Sequence, residues 1–520
     1  MMDIMSQNLH TADISENFDV IIIGAGLGGL GAACQLGLTD KKILLLEKHN
    51  VPGGFATSFV RGRFEFEGAL HMLSDIGTPE DPGALYRFFK RIGLVPDLLK
   101  FKLIPEYYRS VFYDGYDTVI PYGVEEYFNK LLELFPNEKK GIDNFREICE
   151  AVYNGIQYIG SRRGNVSQKE IIKDHPWIAR VVGLTLQDIF DKCFDNKRLI
   201  SVISQPWGFL GLPPSRCSAY AFLGMTMSYL DKGGAFPEGR SHALTSGMVK
   251  CFEKMGGTVK LNALVNRILL KNGKIYGVEL IDGKRFHSKA VISNVNPICT
   301  IMQLLPSESI PEVYKKKIYA PEIGPSGFSV YIGLNASPQE LGLKEHETFI
   351  NKDDDLDAAY ESFRKIEDPR YIVAACYNNI DPKISPHGTS QLVLTTLQMG
   401  DEWQSIAPDQ YHKIKDNYAD KMIQMVENTI LPDIREYIEV AEVASPLTYY
   451  RYSKNYNGAI YGYNQDVYNS PMMRLKSKTP IKGLYLAGAW TNFGGGFSTS
   501  ILGGRVAAGL YLSENKEGKI

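Results

Sequence analysis

Twenty consecutive residues without a charged side chain, from Val20 to Thr39, constrain the fold more than any other stretch of this chain. A helix that crosses a bilayer needs about 20 apolar residues, so length alone would allow a membrane span. A secretory signal would carry basic residues ahead of its apolar core, whereas residues 1–19 contain acids and no Lys or Arg. The run is interrupted by glycines, which lower its helical preference: Gly24, Gly26, Gly28, Gly29, Gly31 and Gly37. We therefore expect a strand, a turn and a helix, and not a membrane span.

The glycine-rich turn lies between a predicted strand and a predicted helix. Asp19–Gly24 is a β-branched run typical of a buried strand, and Leu27–Leu38 is small and apolar, as in a helix packed closely on a sheet. The turn Gly24–Gly29 matches G-x-G-x-x-G, and a second apolar strand, Lys42–Glu47, ends in an acid 18 residues after the turn. This order predicts a dinucleotide-binding unit. A glycine-rich turn in an unliganded α/β domain is the alternative, and the pattern alone does not separate FAD from NAD.

Each part of this unit has a mechanical role in binding a dinucleotide. Gly24 permits the tight turn, Gly26 lets the backbone approach a pyrophosphate, and Gly29 allows close contact between helix and strand. The N-terminus of the helix attracts the phosphates. Glu47 is the residue expected to hold the ribose hydroxyls.

Composition excludes several classes of protein. Lys and Arg number 57 against 59 Asp and Glu, a formal net charge of −2, so there is no general basic field for nucleic acid. The seven cysteines include no Cys-x-x-Cys pair, which leaves a structural zinc site or a thiol-redox motif unsupported. We expect no metal site, and we expect buried free thiols in a reducing, cytoplasmic compartment.

Two further glycine-rich segments stand far from the first. Glu47-Lys48 leads into Val51–Thr57, with the doublet Gly53-Gly54, and then into Phe64–Met72. Near the C-terminus, Gly483–Trp490 reads as a buried strand that runs into a small-residue turn. Thr491–Ser500 follows with three consecutive glycines, and a helix is predicted from about Ile501 to Leu510, capped by Ser498, Thr499 or Ser500.

These segments resemble the FAD-dependent phytoene desaturase, carotenoid isomerase and retinol saturase family, within the amine-oxidase-like flavoproteins. The resemblance implies that Glu47 binds the adenosine ribose, that Gly53-Gly54 lies beside the diphosphate, and that Gly68–Met72 passes the flavin ring. It also places the backbone of Val265 near the adenine. An ordinary turn remains the alternative for the glycine doublet, and a satisfied, half-buried histidine for His71.

The resemblance implies non-covalent FAD, since the last cysteine, Cys376, lies far from the C-terminal motif that carries a cysteinyl-flavin in some amine oxidases. Many relatives in the wider superfamily have an acid after the Ala-Gly pair, where this chain has Ala489. The contact to ribityl and phosphate would then fall to the backbone. The residues expected to bind the cofactor are Gly24, Ala25, Gly26, Leu27, Gly28, Gly29, Glu47, Lys48, Gly53, Gly54, Phe55, Ala56, Leu70, His71, Met72, Val265, Gly488, Ala489, Gly495, Gly496, Phe497 and Ser498.

The expected architecture is α/β: a discontinuous, Rossmann-like FAD-binding domain with an inserted mixed α+β substrate domain. The FAD-binding domain would comprise residues 17–75, 232–300 and 481–515, the substrate domain residues 76–231 and 301–480, and residues 1–16 a flexible N-terminal segment. Within these, residues 124–135 have helical periodicity. Residues 255–265 predict a short strand pair, and Asn272-Gly273 and Asp282-Gly283 predict hairpin turns.

Aromatic residues cluster in the expected substrate domain and would suit an apolar lipid or polyene, although core packing is the alternative for any one of them. Tyr449 lies in the segment that resembles the family's stretch near flavin and substrate. The groups are Phe101, Tyr107, Tyr108, Phe112, Tyr113 and Tyr116; Tyr449, Tyr450, Tyr452, Tyr456, Tyr461 and Tyr463; and Trp207–Pro214 with Phe222, Met225, Met227 and Tyr229.

The resemblance implies an oxidoreductase that forms, saturates or isomerises C=C bonds of an apolar isoprenoid or other lipid, with hydride transfer at flavin N5. A flavin amine oxidase is the second hypothesis, and a prenyl-binding escort protein of the GDP-dissociation-inhibitor type is a non-catalytic third. No catalytic triad is readable; His71 and Tyr449 are candidate catalytic residues. No second nucleotide motif is found, so the electron partner stays open among a quinone, oxygen, a small redox protein and a loosely bound nicotinamide. Peripheral membrane contact is expected to accompany a lipid substrate.

Overall fold

The computed structural model describes residues 16–162, 164 and 166–515. The predicted flexible segment falls, apart from Glu16, outside the described residues. The strands are β1 Asn17–Phe18, β2 Val20–Ile23, β3 Ile43–Leu46, β4 Ser58–Arg61, β5 Phe64–Glu67, β6 Phe101–Leu103, β7 Glu106–Phe112, β8 Asp117–Pro121, β9 Ala235–Pro237, β10 Thr258–Lys260, β11 Val265–Lys271, β12 Lys274–Leu280, β13 Arg285–Ser288, β14 Val291–Ser293, β15 Ser326–Leu334, β16 Glu347–Asn351, β17 Tyr371–Cys376, β18 Ser390–Gln398, β19 Ile438–Ala444 and β20 Leu484–Leu486.

The helices surround these strands, and short 3-10 turns connect several of them. The α-helices are α1 Leu27–Gly37, α2 Ala84–Arg91, α3 Val124–Leu134, α4 Lys139–Ser161, α5 Gln168–Asp174, α6 Pro176–Val181, α7 Leu186–Cys193, α8 Lys197–Ser204, α9 Ala219–Lys232, α10 Arg240–Lys254, α11 Pro297–Met302, α12 Glu312–Tyr319, α13 Leu356–Ser362, α14 Gly400–Gln404, α15 Tyr411–Glu427, α16 Ile434–Tyr437, α17 Pro446–Ser453 and α18 Phe497–Glu514.

A parallel sheet with strand order β10-β3-β2-β14-β20 forms the Rossmann-like layer. Its strands come from three distant parts of the chain, and every residue of β2 and β3 is buried, as expected for a sheet covered on both faces. Helix α1 packs against α18 so closely that a Cβ atom at Gly504 would lie 1.8 Å from the carbonyl oxygen of Gly28. The predicted strand–turn–helix–strand unit is therefore confirmed, with helix contact at backbone distance.

A meander with strand order β1-β13-β12-β11 lies beside this sheet. Its hairpins turn at Asn272-Gly273 and Asp282-Gly283, as predicted. The prediction of a strand pair in residues 255–265 is wrong. Residues Thr258–Lys260 form β10, which pairs in parallel with β3 at the edge of the Rossmann-like sheet, because helix α10 returns the chain there as a crossover.

The inserted segments supply a second, larger sheet with strand order β19-β15-β18-β17-β16-β7-β8. Its pairs are antiparallel except β16 with β7, and every residue of β15 is buried. Helices α3 to α9 come from the first inserted segment, and α3 confirms the periodicity read from the sequence. The α/β architecture with an inserted α+β part is confirmed. The domain limits stay a prediction, and β9 pairs with β6 across one of them.

The C-terminal helix begins earlier than predicted. Helix α18 runs from Phe497 to Glu514, and its N-cap is Gly496, which makes no side-chain cap hydrogen bond. The capping role predicted for Ser498, Thr499 or Ser500 is wrong, because all three lie inside the first turn. The Thr499 hydroxyl instead donates to the carbonyl oxygens of Gly495 and Gly496.

Among the described residues, no helix combines the length and apolarity needed to cross a membrane. No group of three or more His, Cys, Asp or Glu side chains is arranged to hold a metal ion in that same part of the chain.

Candidate functional site

The carboxyl ends of β2, β14 and β20 meet at one edge of the parallel sheet. The chain leaves these strands at Gly24, Asn294 and Ala487-Gly488, so the first and last glycine-rich segments adjoin there. A Cβ atom at Gly28 would lie 2.6 Å from the Cα of Gly488 and 2.3 Å from Asn294 Oδ1. Because only glycine permits these approaches, the two segments meet at backbone distance. The edge of the sheet where they meet is here called the glycine-walled cleft.

Asn294 projects into this cleft and was missed by sequence reasoning. Besides Gly28, a Cβ atom at Gly26 or Gly488 would lie within 2.8 Å or 2.3 Å of its amide group. Within the described residues, its side-chain amide makes no hydrogen bond, although its main-chain N–H donates to Ile23. The available signal was its place as the first residue after a buried strand, at the edge where α/β folds bind ligands.

Glu47 lies at the end of β3, beside the glycine-rich turn, where the sequence placed it. Its carboxylate is buried and accepts hydrogen bonds from the main-chain N–H groups of Ala25, at 2.6 Å, and His49, at 2.9 Å. Each oxygen keeps a further lone pair for a ligand hydroxyl. The neighbouring Lys48 is half-buried, and that burial lowers the pKa of its ammonium group.

The predicted adenine side is brought to the same place. The main-chain N–H of Ala263 donates to the carbonyl oxygen of Glu47 at 2.8 Å, two residues before the buried Val265. The glycine doublet lies on the other flank, where the Gly53 N–H donates to the carbonyl of Ala25 at 2.8 Å. Gly53 has φ +117°, and a Cβ atom there would lie 2.1 Å from the Ala56 carbonyl oxygen, so glycine is required.

The remaining predicted cofactor residues border the same cleft or support it. Leu27 begins α1 and is buried, and a Cβ atom at Gly29 would lie 1.9 Å from the Gly24 carbonyl oxygen. A Cβ atom at Gly54 would lie 3.4 Å from the Cα of Gly26. The Ala56 carbonyl accepts from the Thr245 hydroxyl at 3.3 Å, which ties the segment to α10.

The C-terminal glycine-rich segment joins two other parts of the chain. The Ser498 hydroxyl donates to the carbonyl of Ser74 at 3.1 Å. A Cβ atom at Gly495 would lie 2.6 Å from the Cα of Tyr461. Phe497 begins α18 and packs against the apolar core. The segment therefore runs between the loop that follows β5 and residues 461–465.

A buried arginine supports this segment. The Arg474 side chain is fully buried and donates to the carbonyl oxygens of Tyr463, Asn464, Asn469 and Ala489 at 3.2 to 3.4 Å. It forms no ion pair within the described residues, and burial lowers the pKa of its guanidinium to about 10. Sequence reasoning missed this residue, because one Arg in a polar stretch has no distinguishing pattern.

The loop Gly68–Met72 is held from both sides by buried side chains. The carboxylate of Glu67 accepts from the Leu70 N–H at 3.1 Å and from the N–H and hydroxyl of Ser241 at 2.8 and 2.6 Å. Burial raises the pKa of this carboxyl group. The loop carbonyls accept hydrogen bonds from Tyr331 (to Gly68), Tyr377 (to Leu70), His346 (to His71) and Tyr229 (to Met72). These contacts fix the loop that was predicted to pass the flavin.

His71 extends from this fixed loop to a buried carboxylate. Its Nδ1 lies 2.8 Å from Oε1 of Glu347, on β16. The Glu347 side chain is 1% exposed, and its other oxygen, Oε2, has no hydrogen-bond partner in the described part of the chain. Sequence reasoning found the histidine and missed the glutamate, which is 276 residues away.

An aromatic cluster extends from His71 into the larger sheet. The Phe209 ring lies 6.3 Å from His71, 6.2 Å from Tyr229 and 6.0 Å from Phe349. Tyr371 continues the cluster at 5.9 Å from Phe349, with Trp207 at 4.9 Å from Tyr371 and Tyr107 at 5.6 Å from Tyr229. These distances favour offset or edge contacts between rings.

The aromatic groups predicted from the sequence divide between the site and other places. Tyr107, Trp207 and Tyr229 join the cluster beside His71, while Phe101 stacks on Phe89. The guanidinium of Arg198 lies over Phe112 and Tyr116. Tyr463 packs on Trp490. Four other tyrosines are exposed: Tyr113, Tyr450, Tyr452 and Tyr456. The expectation of a cavity lining is wrong for these four and for Phe101, Phe112, Tyr116 and Tyr463.

Tyr449 lies in the same buried region without touching His71. Its hydroxyl is 2.9 Å from the Ser329 hydroxyl and its ring 5.8 Å from Phe55. Burial raises the pKa of this phenol. Burial raises the pKa of the Tyr461 phenol, and the nearby Glu347 and Tyr449 raise it further.

Comparison with known proteins identifies the family of the chain. The model of the family described as flavin containing amine oxidoreductase matches residues 27–510. An all-trans-retinol 13,14-reductase of Danio rerio is 26% identical, covering 98% of this chain and 89% of that protein. A chloroplastic prolycopene isomerase of Arabidopsis thaliana is 25% identical over 96% of this chain and 84% of its own. An oxidoreductase of Methanosarcina mazei shares the fold, with TM-score 0.62 at 17% identity over 94% and 99% of the two chains. The chain belongs to the family of flavin-containing amine oxidoreductases.

Proposed function

We propose that this protein is an FAD-dependent oxidoreductase that acts on a C=C bond of an apolar isoprenoid or related lipid. The observation that carries the proposal is the position of the loop Gly68–Met72. On one side, the Ser74 carbonyl, just after the loop, accepts a hydrogen bond from Ser498 of the C-terminal glycine-rich segment that borders the glycine-walled cleft. On the other side lies the aromatic cluster around His71. A cofactor in the cleft and an apolar molecule among the aromatic rings would meet at this loop.

The residues of the cleft fit a dinucleotide. The bare backbone at Gly26, Gly28 and Gly488 admits a diphosphate, and the N-terminus of α1 attracts its charge. The unpaired amide of Asn294 can bind a phosphate or ribityl oxygen, and Glu47 a ribose hydroxyl. The cleft segments contain no cysteine, which supports non-covalent binding. When bound, the flavin supplies or accepts hydride at N5.

The aromatic cluster supports an apolar substrate. Phe209, Tyr229, Phe349 and Tyr371 pack together and exclude water from the neighbourhood of the loop, which suits an apolar molecule. The names of two relatives, an all-trans-retinol 13,14-reductase and a prolycopene isomerase, describe reactions at polyene double bonds. These names are the basis for proposing that this chain acts on a C=C bond by saturation, desaturation or isomerisation.

The test begins with the visible spectrum of the purified protein after addition of FAD. We expect the spectrum of a bound flavin, and we expect denaturation to release this flavin as free FAD. Flavin reduced by dithionite without oxygen is then mixed with retinol and with a linear carotenoid, and oxidised flavin with the same compounds. Oxidation or reduction of the flavin with a change in the polyene spectrum supports the proposal, as does isomerisation that requires reduced flavin. Failure of all three would overturn it.

Amine oxidation is a second candidate because of one observation. Glu347 places a carboxylate with an unpaired oxygen among aromatic side chains, an arrangement that can bind an ammonium group. His71 already offers this carboxylate a partner, which argues for the first candidate. Fast reduction of the oxidised flavin by putrescine or by an aryl-alkyl amine, with no response to polyenes, would reverse the ranking. A protein that takes up no FAD would support the prenyl-binding escort hypothesis.

We further propose that electrons come from or go to an external partner in the cytoplasm: a quinone, oxygen, a small redox protein or a loosely bound nicotinamide. The chain has one G-x-G-x-x-G motif followed by a strand and acid, which supports one resident dinucleotide. Its cysteines are free, which suits a reducing compartment. Reoxidation rates of the reduced flavin with each partner distinguish them.

We propose peripheral contact with an anionic membrane through one surface, here called the lysine–aromatic surface. It combines exposed apolar and basic side chains from α12 and from residues 468–476. The chain just before the second segment is joined to α12, because the Tyr463 hydroxyl donates to the Ile318 carbonyl at 2.6 Å. Val313 is 80% and Tyr468 87% exposed. Its residues are Val313, Lys316, Lys317 and Tyr319 of α12, and Tyr468, Met472, Met473 and Lys476.

The charge of this surface identifies its occupant. Among the described residues, Lys316, Lys317 and Lys476 form no ion pair, whereas Glu312 is paired with Lys315. Basic and apolar side chains together favour an anionic bilayer. We expect flotation with vesicles containing phosphatidylserine, weakened by salt, and little with pure phosphatidylcholine. The variant Lys316→Glu/Lys317→Glu should lose flotation, whereas Lys139→Glu/Lys140→Glu should keep it. Equal flotation of both variants would overturn this proposal.

A further inference from the structure

The pair His71–Glu347 is placed like an oriented acid–base group. The imidazole Nδ1 is 2.8 Å from Glu347 Oε1, and the His71 main chain is fixed because its carbonyl accepts from His346 Nε2 at 2.9 Å. The carbonyl of the preceding Leu70 accepts from Tyr377 at 2.8 Å. Backbone and ring are therefore both held, which leaves the imidazole little freedom to turn.

The carboxylate sets which ring nitrogen is available for chemistry. A carboxylate only accepts, so His71 Nδ1 carries the proton that it donates to Glu347. The other nitrogen, Nε2, makes no hydrogen bond within the described residues, and the side chain keeps 15% exposure beside the Phe209 ring. His71 thus keeps a free Nε2 in a ring that lies beside the aromatic cluster, and this nitrogen can take up or release a second proton.

The surroundings of the pair leave His71 as the partner of Glu347. In the described part of the chain, Glu347 forms no other ion pair. Burial lowers the pKa of His346 and raises the pKa of Glu106 and of the phenols around Glu347. The titratable groups around Glu347 are Glu106, Tyr107, Tyr229, His346, Tyr371, Tyr377 and Tyr461.

We propose that His71 is the catalytic acid and base that exchanges a proton with the substrate carbon next to the one that exchanges hydride. Glu347 is its positioning residue. The inference rests on the proposed function. In saturation, the π electrons of the double bond would form a C–H bond with the proton of His71 Nε2, and solvent would restore that proton. In desaturation, Nε2 would take the proton and the electrons of that C–H bond would form the C=C bond. A flavin held in the glycine-walled cleft would supply the hydride in the first case and accept it in the second.

The test compares His71→Gln and His71→Ala with His387→Gln, which makes the same substitution at an exposed histidine. General acid–base groups typically contribute about 10²–10⁴-fold, so we expect a loss of kcat in that range for both His71 variants. Because His71 is also among the residues expected to bind the cofactor, the rates are compared at saturating FAD, with the flavin spectrum of each variant as the check of occupancy. Added imidazole should restore part of the activity of His71→Ala, which a merely structural histidine would not allow. His387→Gln should behave as wild type.

A further measurement does not depend on turnover rate. In ¹⁵N-histidine-labelled protein without flavin, His71 should show the Nδ1-protonated form, and Glu347→Leu should abolish it. Rates of His71→Gln within threefold of wild type, or an unchanged His71 nitrogen spectrum in Glu347→Leu, would overturn the inference. If the wild-type protein neither reacts with polyenes nor isomerises them, the proposed function is overturned instead. The nitrogen spectra then still report on the His71–Glu347 pair.

Discussion

The guanidinium of Arg474 donates to the carbonyl oxygen of Ala489, directly after the small-residue turn that closes the glycine-walled cleft. A full charge is thus buried without a carboxylate partner in the described residues, held by carbonyl groups alone. Such a charge is costly to bury, so its contacts must matter for the arrangement of the segments that they join.

We expect Arg474→Met to lower the free energy of unfolding by about 3 kcal/mol or more, because several carbonyl groups lose their donor at once. The variant should also release FAD more readily, since the turn at Ala489 loses a support. The matched control is Arg435→Met, because Arg435 pairs at the surface with Asp420 and Glu427. Denaturant unfolding and FAD titration measure both effects. Equal stabilities of the two variants would contradict the role given to Arg474.

Two glycines of one helix should respond oppositely to alanine. A Cβ atom at Gly504 would lie 1.8 Å from the Gly28 carbonyl oxygen, whereas one at Gly509 would meet no atom within 4 Å. We expect Gly504→Ala to destabilise by about 3 kcal/mol or more, as an overpacked backbone contact. Gly509→Ala should stabilise by up to about 1 kcal/mol through helix propensity. Thermal unfolding of the two variants decides, and a stable Gly504→Ala protein would refute the close approach of α1 and α18.

Glu47→Ala should weaken FAD binding by about tenfold or more, because a hydrogen bond to a charged group contributes about 1.5–3 kcal/mol. The control is Glu133→Ala, an exposed acid paired with Lys130. Titration of the flavin-free protein with FAD, followed by flavin fluorescence, gives the two affinities. Unchanged affinity in Glu47→Ala would remove the ribose assignment, while a changed melting point of the flavin-free protein would report its bonds to Ala25 and His49.

The buried carboxyl of Glu67 should leave a signature in the pH dependence of stability. Burial raises its folded-state pKa above the ordinary value of 4.5, so the folded protein binds its proton more tightly than the unfolded chain. The stability contributed by this group is present in full below the ordinary value and is lost as pH rises through the folded-state pKa. The difference in unfolding free energy between wild type and Glu67→Gln should therefore fall with rising pH in that window. A constant difference would show that the folded-state pKa is not raised.

Local order in the sequence was enough for the nucleotide-binding unit. Strand β2, the turn Gly24–Gly29, helix α1, strand β3 and Glu47 are neighbours in the chain, and the short connections between them leave one arrangement compatible with a parallel pair. The hairpins at Asn272-Gly273 and Asp282-Gly283 were readable for the same reason, since a turn is set by its own residues.

Other parts of the site had no local signal. Asn294, Glu67 and Glu347 are single polar residues whose neighbours include distant segments. Arg474 instead binds carbonyl groups 5 to 15 residues away, in a stretch without a distinguishing pattern. The prediction for β10 was wrong because its partner, β3, lies far earlier in the chain, with Thr258 opposite Leu44. Aromatic residues such as Phe112 and Tyr229 look alike in sequence, and their neighbours alone separate core packing from the site.

The sequence by itself determined that this chain contains a Rossmann-like unit with an acid at the end of its second strand, because spacing along about 30 residues specifies strand, turn and helix. Only the tertiary structure decided that His71 faces Glu347, that Arg474 supports Ala489, and which aromatic rings gather beside the loop Gly68–Met72. The physical reason is that these contacts depend on how segments without local signals pack together. His71 and Glu347 are 276 residues apart, and even Arg474 and Ala489, 15 residues apart, meet only in the completed packing.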